Sequence, residues 1–148
     1  MKLIELSNRL KLYATNNAIE AELFRFLKEN PHLILQYNIE QLFHESIGAD
    51  NVDLGFYSYA TEKFDSTKKG GEPFTMIKTG KFFSLLTAEV YYKKIIITSD
   101  VPYLDDMINS PFYISNEFFG LTEDNLIRLK KFNTTPHIRQ WIRGKLLK

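Results

Sequence analysis

The three histidines come first among the residues that could do chemistry, because imidazole is a common acid–base group and metal ligand at neutral pH. His44 and Glu45 match the start of the HExxH zinc-binding helix, but Gly48 stands where the second histidine ligand belongs. His32 follows a helix-starting proline and His137 falls in the first turn of the last predicted helix, and both positions are commonly exposed. The pattern predicts structural histidines and no metal site.

Aspartates could form a second kind of site, because two-metal nucleases hold divalent cations between carboxylates. Asp100, Asp105 and Asp106 lie close together in the sequence. Either Asp53 or Asp65 could be imagined beside them. On an extended backbone, however, the adjacent side chains of Asp105 and Asp106 point apart. A solvated acidic loop is favoured, and the alternative, a metal-dependent enzyme, predicts an activity that is lost on chelation.

Other catalytic patterns are incomplete. The run "KKGG" at residues 68–71 lacks the strand, spaced glycines and Lys-Ser/Thr step of a phosphate-binding loop, so it predicts a flexible loop. Neither Ser84 nor Ser110 has the Gly-x-Ser-x-Gly surroundings of a hydrolase nucleophile. The sequence contains 0 cysteines, which excludes a thiol nucleophile, a disulfide framework and cysteine-ligated metals. We therefore expect no catalytic residues, no cofactor and no enzyme activity.

The last part of the chain is distinguished by its charge. The whole chain has 19 Lys and Arg against 18 Asp and Glu, yet no acidic residue lies between Leu126 and Lys148. This basic end predicts contact with nucleic-acid phosphates or with an acidic protein surface, or else a solvated helix face. The residues expected to face DNA or a partner are Arg139, Arg143, Lys145 and Lys148.

Helices are the first elements that must position these residues. Apolar residues recur at three- and four-residue spacing in the first part of the chain, which is the pattern of amphipathic helices. A third helix is predicted to start at Pro31, with Asn30 as its cap, and to end near Gly48. The two apolar stripes that precede it are Leu3, Leu6, Leu10 and Tyr13, and then Ile19, Leu23, Phe26 and Leu27.

An antiparallel hairpin is predicted in the middle of the chain. The runs "KFFSLLTAEVYY" and "KKIIITSD" are apolar and β-branched, and Lys93-Lys94 is their predicted connection. Thr79-Gly80 predicts a tight reversal before them, because glycine adopts positive φ without strain. A strand that begins at Lys81 would carry apolar side chains on both faces, so other protein would have to cover both.

The final helices complete the predicted fold, with Thr122 and Thr135 as N-caps and Pro136 as a first helical residue. The prediction is a single α+β domain with N-terminal helices, a small central antiparallel β-sheet and two C-terminal helices. No apolar run reaches the ~20 residues that span a bilayer, so we expect a soluble, unexported protein. The predicted regions are 1–48 (helical), 49–100 (β-rich, with a loop at 65–72), 101–121 (irregular loop) and 122–148 (basic and helical).

Aromatic residues are also concentrated, with 12 Phe and 8 Tyr in the chain. Many of them lie in the middle of the sequence and in the segment "SPFYISNEFFGL" at residues 110–121. Aromatic side chains are enriched at the cores of protein interfaces. We therefore expect some of these rings to serve a partner.

Four sequence segments, taken in order, carry a resemblance to a known family. They are "LGFYSYATEK", "KKGGEPFTMIKTGKFFSLLTAEV", "IIITSD" and "NEFFGLTEDNL". This order resembles that of small structural proteins of tailed phages that infect Bacteroidetes, including crAss-like phages. The Thr79-Gly80 step also resembles a turn of siphophage tail-completion and head–tail connector proteins. The resemblance covers about residues 54–126; Lys78 stands where the family has an acid, and the last helices have no counterpart.

The resemblance implies a non-catalytic virion protein that forms a ring around the channel through which phage DNA passes. The implied partners are copies of the chain, adjoining portal or tail ring proteins and, at the basic end, phage DNA, with no membrane partner. The alternative is a nucleic-acid-binding phage accessory protein that uses the basic C-terminal helices. The residues expected at a subunit interface are Phe74, Thr79, Gly80, Phe82, Phe83 and Leu85.

Overall fold

Helices precede and follow a two-stranded antiparallel sheet, which confirms the predicted α+β fold class. The structure is a computed structural model, and it describes residues 16–75, 80–91 and 94–147. The first predicted helix, with its stripe from Leu3 to Tyr13, lies outside these residues. In chain order the elements are α1 (Asn16–Glu29), α2 (Pro31–Glu40), a π-helical turn (Gln41–Glu45), α3 (Tyr59–Phe64), α4 (Lys81–Ser84), β1 (Leu86–Tyr91), β2 (Lys94–Ser99), α5 (Leu104–Ile108), α6 (Glu123–Leu129), a second π-helical turn (Lys130–Thr134) and α7 (Thr135–Leu146).

The junction between α1 and α2 follows the sequence pattern with one difference. Pro31 is the first residue of α2, where its missing N–H would have no helical partner. The Asn30 side chain makes no cap hydrogen bond to α2, and its amide instead donates to the Phe26 carbonyl at 2.8 Å. The prediction that Asn30 caps α2 is therefore wrong, because its side chain satisfies a carbonyl at the end of α1.

The helical segment that begins at Pro31 has a different cap from the one predicted. α2 passes directly into the first π-helical turn, and the chain leaves this turn at Ser46, whose backbone is left-handed with φ 54° and ψ 40°. The Ser46 N–H donates to the Gln41 carbonyl, which closes the wide turn. The helical segment therefore ends near Gly48, but the left-handed cap is Ser46 rather than Gly48.

Gln41, in the first π-helical turn, connects the two halves of the chain. Its side chain is 0% exposed, and its Oε1 accepts hydrogen bonds from the Thr122 N–H at 2.9 Å and from Asn125 Nδ2 at 3.2 Å. Its Nε2 donates to the Gly120 carbonyl at 3.3 Å. Buried polar groups need such partners, so Gln41 fixes the start of α6 against the end of α2.

The predicted antiparallel hairpin is confirmed, in register from Leu86 opposite Ser99 to Tyr91 opposite Lys94. Lys94 is a strand residue rather than part of the connection, and positions 92–93 lie outside the described residues. One face of the hairpin joins the core, while the other is mostly polar, so the expectation of two apolar faces is wrong for these strands. The core face carries Leu86, Ala88, Val90, Ile95 and Ile97, and the other carries Thr87, Glu89, Tyr91, Lys94, Ile96 and Thr98.

The chain just before β1 is helical rather than extended. Gly80 has φ 74°, as predicted, and α4 follows as a short turn in which the Ser84 N–H donates to the Gly80 carbonyl at 3.1 Å. The strand starts at Leu86, so the prediction of a strand from Lys81 is wrong. The left-handed glycine starts a helical turn, and this turn directs Phe82 into the core, where it is 2% exposed.

The regions predicted to be β-rich (49–100) and irregular (101–121) both contain helices. The first holds α3 and α4 beside the hairpin, and the second holds α5. Outside the hairpin, the described β contacts are isolated pairs, Ile47 with Asp53 and Phe56 with Pro73. Turn-forming glycine, asparagine and proline residues divide these segments into pieces that are too short for a long ladder.

The C-terminal helical segments run on without a break. Thr122 caps α6 as predicted, because its hydroxyl accepts a hydrogen bond from the Asn125 N–H at 3.3 Å. Thr135 is not a cap: its backbone is right-handed helical (φ −62°, ψ −46°), and its N–H donates to the Lys130 carbonyl. Pro136 lacks an N–H and its ring crowds the preceding turn, so the helix widens there instead of ending.

The apolar core is formed by the helices at both ends, the hairpin and the loop that precedes α6. α1 and α2 pack against β1, and α7 packs against α1. None of the described helices is long and apolar enough to cross a membrane. The buried apolar residues are Leu27, Ile34, Leu42, Leu54, Phe82, Leu86, Val90, Ile97, Val101, Phe118 and Leu129.

Candidate interaction surfaces

Most residues predicted at a subunit interface do not form an open apolar face. Phe82 is 2% exposed, and Phe83 is half-buried against it with ring centroids 5.4 Å apart. Leu85 is 38% exposed, and Thr79 lies outside the described residues. Among the described residues, no atom lies within 4 Å of the position that a Cβ on Gly80 would take. Phe82 therefore belongs to the core of the chain, where no neighbouring subunit can reach it.

Phe74, another predicted interface residue, belongs to an internal aromatic cluster. Its ring lies 4.8 Å from Tyr57 and 5.1 Å from Tyr113, measured between centroids, and Tyr113 lies 5.0 Å from Phe118. Gly55, with φ 126°, lets the backbone pass this cluster, because a Cβ there would stand 2.6 Å from the Phe74 ring. Phe74 thus holds the loops of the chain together.

A different set of apolar side chains faces outward. It comes from α3 and from the loops at residues 52–58 and 110–117, and we call it the loop surface. Large exposed apolar patches are rare on monomeric proteins, and they mark contacts with other proteins, membranes or ligands. The loop surface consists of Phe56 (51% exposed), Tyr59 (74%), Phe64 (92%), Phe112 (80%) and Ile114 (65%).

Three backbone segments lie side by side beneath most of the loop surface. The Ile114 N–H donates to the Leu54 carbonyl at 2.9 Å, and the Phe74 N–H donates to the Gly55 carbonyl at 2.9 Å. The segment at 54–56 therefore lies between the segment at 112–114 and the segment that contains Phe74. This arrangement brings residues about 60 positions apart in the sequence onto one surface.

Two features of the backbone decide which rings face outward. Leu54 is 0% exposed and Phe56 is 51% exposed although they are two positions apart, because Gly55, with φ 126°, interrupts the alternation between them. Side chains do alternate along residues 112–114, where Tyr113 contacts the internal aromatic cluster while Phe112 and Ile114 remain exposed. The sequence predicted that some rings of "SPFYISNEFFGL" serve a partner, but its pattern could not show which of them face outward.

The Tyr57 hydroxyl anchors the loop at residues 65–72. It accepts hydrogen bonds from Lys68 Nζ at 2.8 Å and from the Thr75 N–H at 3.1 Å. Burial raises the pKa of the Tyr57 phenol, but the hydrogen bonds from Lys68 and Thr75 outweigh burial and leave the pKa below its usual 10.0. The loop is therefore held by its own contacts at Lys68.

The basic end lies on exposed helical surface. Arg139, Arg143 and Lys145 are exposed on α7, and Lys148 lies outside the described residues. Arg139 and Arg143 are four positions apart, so they share one side of the helix. Within the described part of the chain, no carboxylate forms an ion pair with either of these arginines. Their charges face solvent and can attract an anionic partner.

Apolar side chains lie beside Arg139 and two further cations, Lys130 and Lys131. Ile127 is 54% exposed and Phe132 is 60% exposed, and Lys131 Nζ lies 5.2 Å from the centroid of the Phe132 ring. An exposed surface of this mixed character suits another protein as well as a polyanion. We call it the basic helix surface, and it consists of Ile127, Lys130, Lys131, Phe132 and Arg139.

The sequence predicted an exposed position for His137, but in the structure this residue is partly buried. Its ring stacks on Phe26 with centroids 4.0 Å apart, and its Nε2 lies 2.6 Å from Glu22 Oε1. Arg25 also binds Glu22, with Nη2 2.6 Å from Oε1. Hydrogen bonding to Arg25 holds the pKa of Glu22 below its usual 4.5, although burial raises it. The cluster joins α7 to α1 and has a structural role, as predicted for the histidines.

The acidic candidates do not converge on a cation site. Asp105 and Asp106 lie in the first turn of α5 rather than on an extended backbone, and both are exposed. In the described ranges, no group of three His, Asp or Glu side chains could hold a metal ion. The first turn of a helix favours negative charge, which accounts for the position of both aspartates.

No protein-family model, curated protein or solved structure matches the chain.

Proposed function

We propose that the chain is a non-catalytic virion structural protein of a tailed phage, acting as a head–tail connector or tail-completion component. In this proposal it assembles with copies of itself into a ring around the DNA channel and contacts adjoining portal or tail ring proteins. It is made in the cytoplasm of the bacterial host and becomes part of the virion.

The loop surface is the observation that supports this proposal most directly. Four of its five residues are aromatic, and each aromatic side chain can bury roughly 150–250 Å². Covering their exposed parts would remove several hundred Å² from water, on the order of the ~800 Å² that each partner contributes to a standard interface. Backbone pairing brings Phe56, Phe112 and Ile114 together, and this many exposed apolar side chains on so small a chain favour a role in assembly.

The basic helix surface supports a ring rather than a simple two-fold dimer. A head-to-tail ring uses two different surfaces on each subunit, and the rotation between subunits closes the ring. The chain carries two surfaces of unlike chemistry, since the loop surface is aromatic while the basic helix surface mixes Ile127 and Phe132 with cations. One can therefore contact a neighbour while the other faces DNA or an adjoining ring.

The hairpin provides further support. In the described part of the chain, β1 and β2 pair only with each other, so each keeps one edge that another strand could extend. A two-stranded sheet gains stability from a third strand or from helix packing. A neighbouring subunit could supply the third strand, and α1 and α2 supply the helix packing.

The proposal is tested by placing charge on the loop surface of the full-length protein. Phe112 and Ile114 are both replaced by Asp, and Leu147→Asp is the matched control because Leu147 is 83% exposed but lies outside the loop surface. Light scattering and negative-stain electron microscopy then measure oligomer size across a range of concentrations. We expect rings for the wild type and the control, and monomers with native circular dichroism for the double variant.

Two results would contradict the proposal. One is a wild-type protein that stays monomeric at every concentration and is missing from purified phage particles by mass spectrometry. The other is a double variant that assembles as readily as the control, because the loop surface would then take no part in assembly.

A nucleic-acid-binding accessory protein is the second candidate function, and the exposed pair Arg139 and Arg143 favours it. It predicts that the isolated monomer binds DNA and that affinity falls steeply with salt. Replacing Arg139, Arg143 and Lys145 together by Gln should weaken this binding and flatten its salt dependence. DNA binding that appears only after ring assembly would favour the connector instead.

A further inference from the structure

Charge is distributed unevenly over this chain, whose net charge is only +1. The segments that carry the loop surface and its bonded neighbours, 50–75 and 105–117, contain eight acidic residues against three lysines, which gives them a net charge of −5. Residues 126–147, which carry the basic helix surface, contain six Lys and Arg and no acidic residue, which gives them a net charge of +6. The two exposed apolar surfaces of the chain therefore lie in regions of opposite charge.

Exposed acids lie on the same segments as the loop surface. Asn116 Nδ2 donates to the Ile108 carbonyl at 2.7 Å, which holds the acidic helix α5 beside the loop at residues 110–117. The exposed acids of these segments are Asp50, Asp53, Glu62, Glu72, Asp105, Asp106 and Glu117. Within the described part of the chain, none of them forms an ion pair with a Lys or Arg. Their charge therefore remains available to a cationic partner.

The basic helix surface has the complementary arrangement. Ile127 and Phe132 line a groove of about 620 Å³ between α6 and α7, and the exposed cations of its lining are Lys130, Lys131 and Arg139. The most protruding rings of the loop surface, Phe64 at 92% exposed and Phe112 at 80%, can enter such a groove. Aromatic side chains that fill a pocket inside a charged rim are the usual arrangement of a specific interface.

We propose that the basic helix surface of one copy binds the loop surface of the next copy. This inference rests on the proposed ring, and it identifies the two surfaces that join the subunits. Each subunit offers one surface of each kind, so the contact repeats in one direction and can close into a ring. Contact with DNA is then left to cations further along α7, such as Arg143, which lies outside the basic helix surface.

Charge favours this pairing over a two-fold contact. Two loop surfaces placed face to face would bring acids together, and two basic helix surfaces would bring cations together, so both arrangements are repulsive. The proposed pairing instead places opposite charges around an apolar centre. A DNA backbone would also attract the cations, but its phosphates offer no apolar surface to Ile127 and Phe132.

Complementation between two variants of the full-length protein tests the pairing. The loop variant carries Phe112→Asp and Ile114→Asp, and the helix variant carries Lys131→Glu and Phe132→Asp. Each variant alone should stay monomeric, with native circular dichroism, at concentrations at which the wild type forms rings. An equimolar mixture should form a dimer of one copy of each, because the loop variant keeps its basic helix surface and the helix variant keeps its loop surface. Light scattering should give twice the monomer mass and no larger species.

The matched control carries Lys28→Glu and Leu147→Asp, which reverse one charge and add one charge at exposed positions outside both surfaces. The control should assemble at the same protein concentration as the wild type. Each of the two test variants should need at least about tenfold more protein, which corresponds to the loss of about 1.4 kcal/mol at the contact.

Two outcomes, in a protein whose wild type forms rings, would overturn the pairing and leave the proposed function in place. One is a helix variant that assembles as readily as the control, even if it no longer binds DNA, because the basic helix surface would then take no part in the subunit contact. The other is a mixture in which both variants stay monomeric. A wild type that is monomeric at every concentration would instead contradict the ring itself.

Exchange of charge within one chain tests the electrostatic part of the pairing. Lys130 and Lys131 are replaced by Glu in one variant, Asp53 and Glu117 are replaced by Lys in a second, and a third variant combines all four changes. At ~50 mM salt each pair alone should weaken assembly about tenfold, and the combined variant should regain most of it because opposite charges again face each other. A combined variant that assembles no better than either pair would also overturn the pairing.

Discussion

Replacing Gln41 by alanine removes the side chain that joins the first π-helical turn to the start of α6. In the wild type, Oε1 accepts hydrogen bonds from the Thr122 N–H at 2.9 Å and from Asn125 Nδ2 at 3.2 Å. Gln41 is 0% exposed, Thr122 is 3% exposed and Asn125 is 1% exposed. In the wild type these groups are closed off from bulk water, and the substitution leaves the two donors without their acceptor.

The expected magnitude follows from these contacts. Each hydrogen bond contributes about 1 kcal/mol, and a buried donor left unsatisfied costs about 1–3 kcal/mol. Because the two donors share one acceptor and can partly relax, we expect the free energy of unfolding to fall by about 3 kcal/mol. For a protein of about 150 residues this lowers the midpoint of thermal unfolding by about 6–12 °C.

Urea denaturation followed by circular dichroism measures this change. Gln36→Ala is the matched control, because Gln36 lies on the exposed side of α2 and its replacement should change stability by less than about 0.5 kcal/mol. A loss below about 1 kcal/mol for Gln41→Ala, with an unchanged slope against urea, would refute the reasoning. It would mean that the two halves of the fold are held together without this side chain.

Three further predictions concern stability, and urea denaturation measures the first and the third. Thr122→Ala should cost about 1 kcal/mol because it removes the cap of α6, whereas Thr135→Ala should cost less than about 0.5 kcal/mol because Thr135 is not a cap; equal losses would contradict the assignment. Phe82→Asp should unfold the chain, seen as loss of near-ultraviolet circular dichroism, and a folded variant that merely fails to assemble would place Phe82 at an interface instead. Glu22→Gln should cost about 1.5 kcal/mol at pH 7, because it weakens charged hydrogen bonds with Arg25 and His137. Since the folded-state pKa of Glu22 is lowered, its stabilisation is present above pH 4.5 and is lost as the pH falls through that lowered pKa. The difference between wild type and Glu22→Gln should therefore shrink below pH 4.5, and a difference that persists unchanged in acid would contradict this account.

Local signals in the sequence were sufficient for much of the fold. The stripe from Ile19 to Leu27 predicts α1, Thr122 predicts the start of α6, and the β-branched runs predict the hairpin. Each of these signals depends on residues a few positions apart. Helix periodicity, capping and strand alternation are local properties, so they survive in almost any tertiary setting.

The incorrect predictions have two physical causes. Thr135 and Asn30 are good capping residues, but continuous helical packing left Thr135 inside a helix, and Asn30 caps the preceding one. His137 has no sequence neighbour that would bury it, yet packing of α7 on α1 places its ring on Phe26. For His137 a contact from a distant part of the chain outweighed a local preference, whereas Asn30 and Thr135 bond to carbonyls four and five positions earlier, on Phe26 and Lys130.

The sequence by itself determined the fold class, the absence of cysteine chemistry and the excess of positive charge at the C-terminal end. It also identified the aromatic segment at 110–121 as a place to look for a partner surface. Only the tertiary structure decided that Phe118 lies in the core while Phe112 and Ile114 face outward. All three are apolar and equally suited to burial, so their sequence types cannot rank them. Their exposure depends on contacts with distant segments, since the Ile114 N–H donates to the Leu54 carbonyl and Asn38 Nδ2 donates to the Phe118 carbonyl.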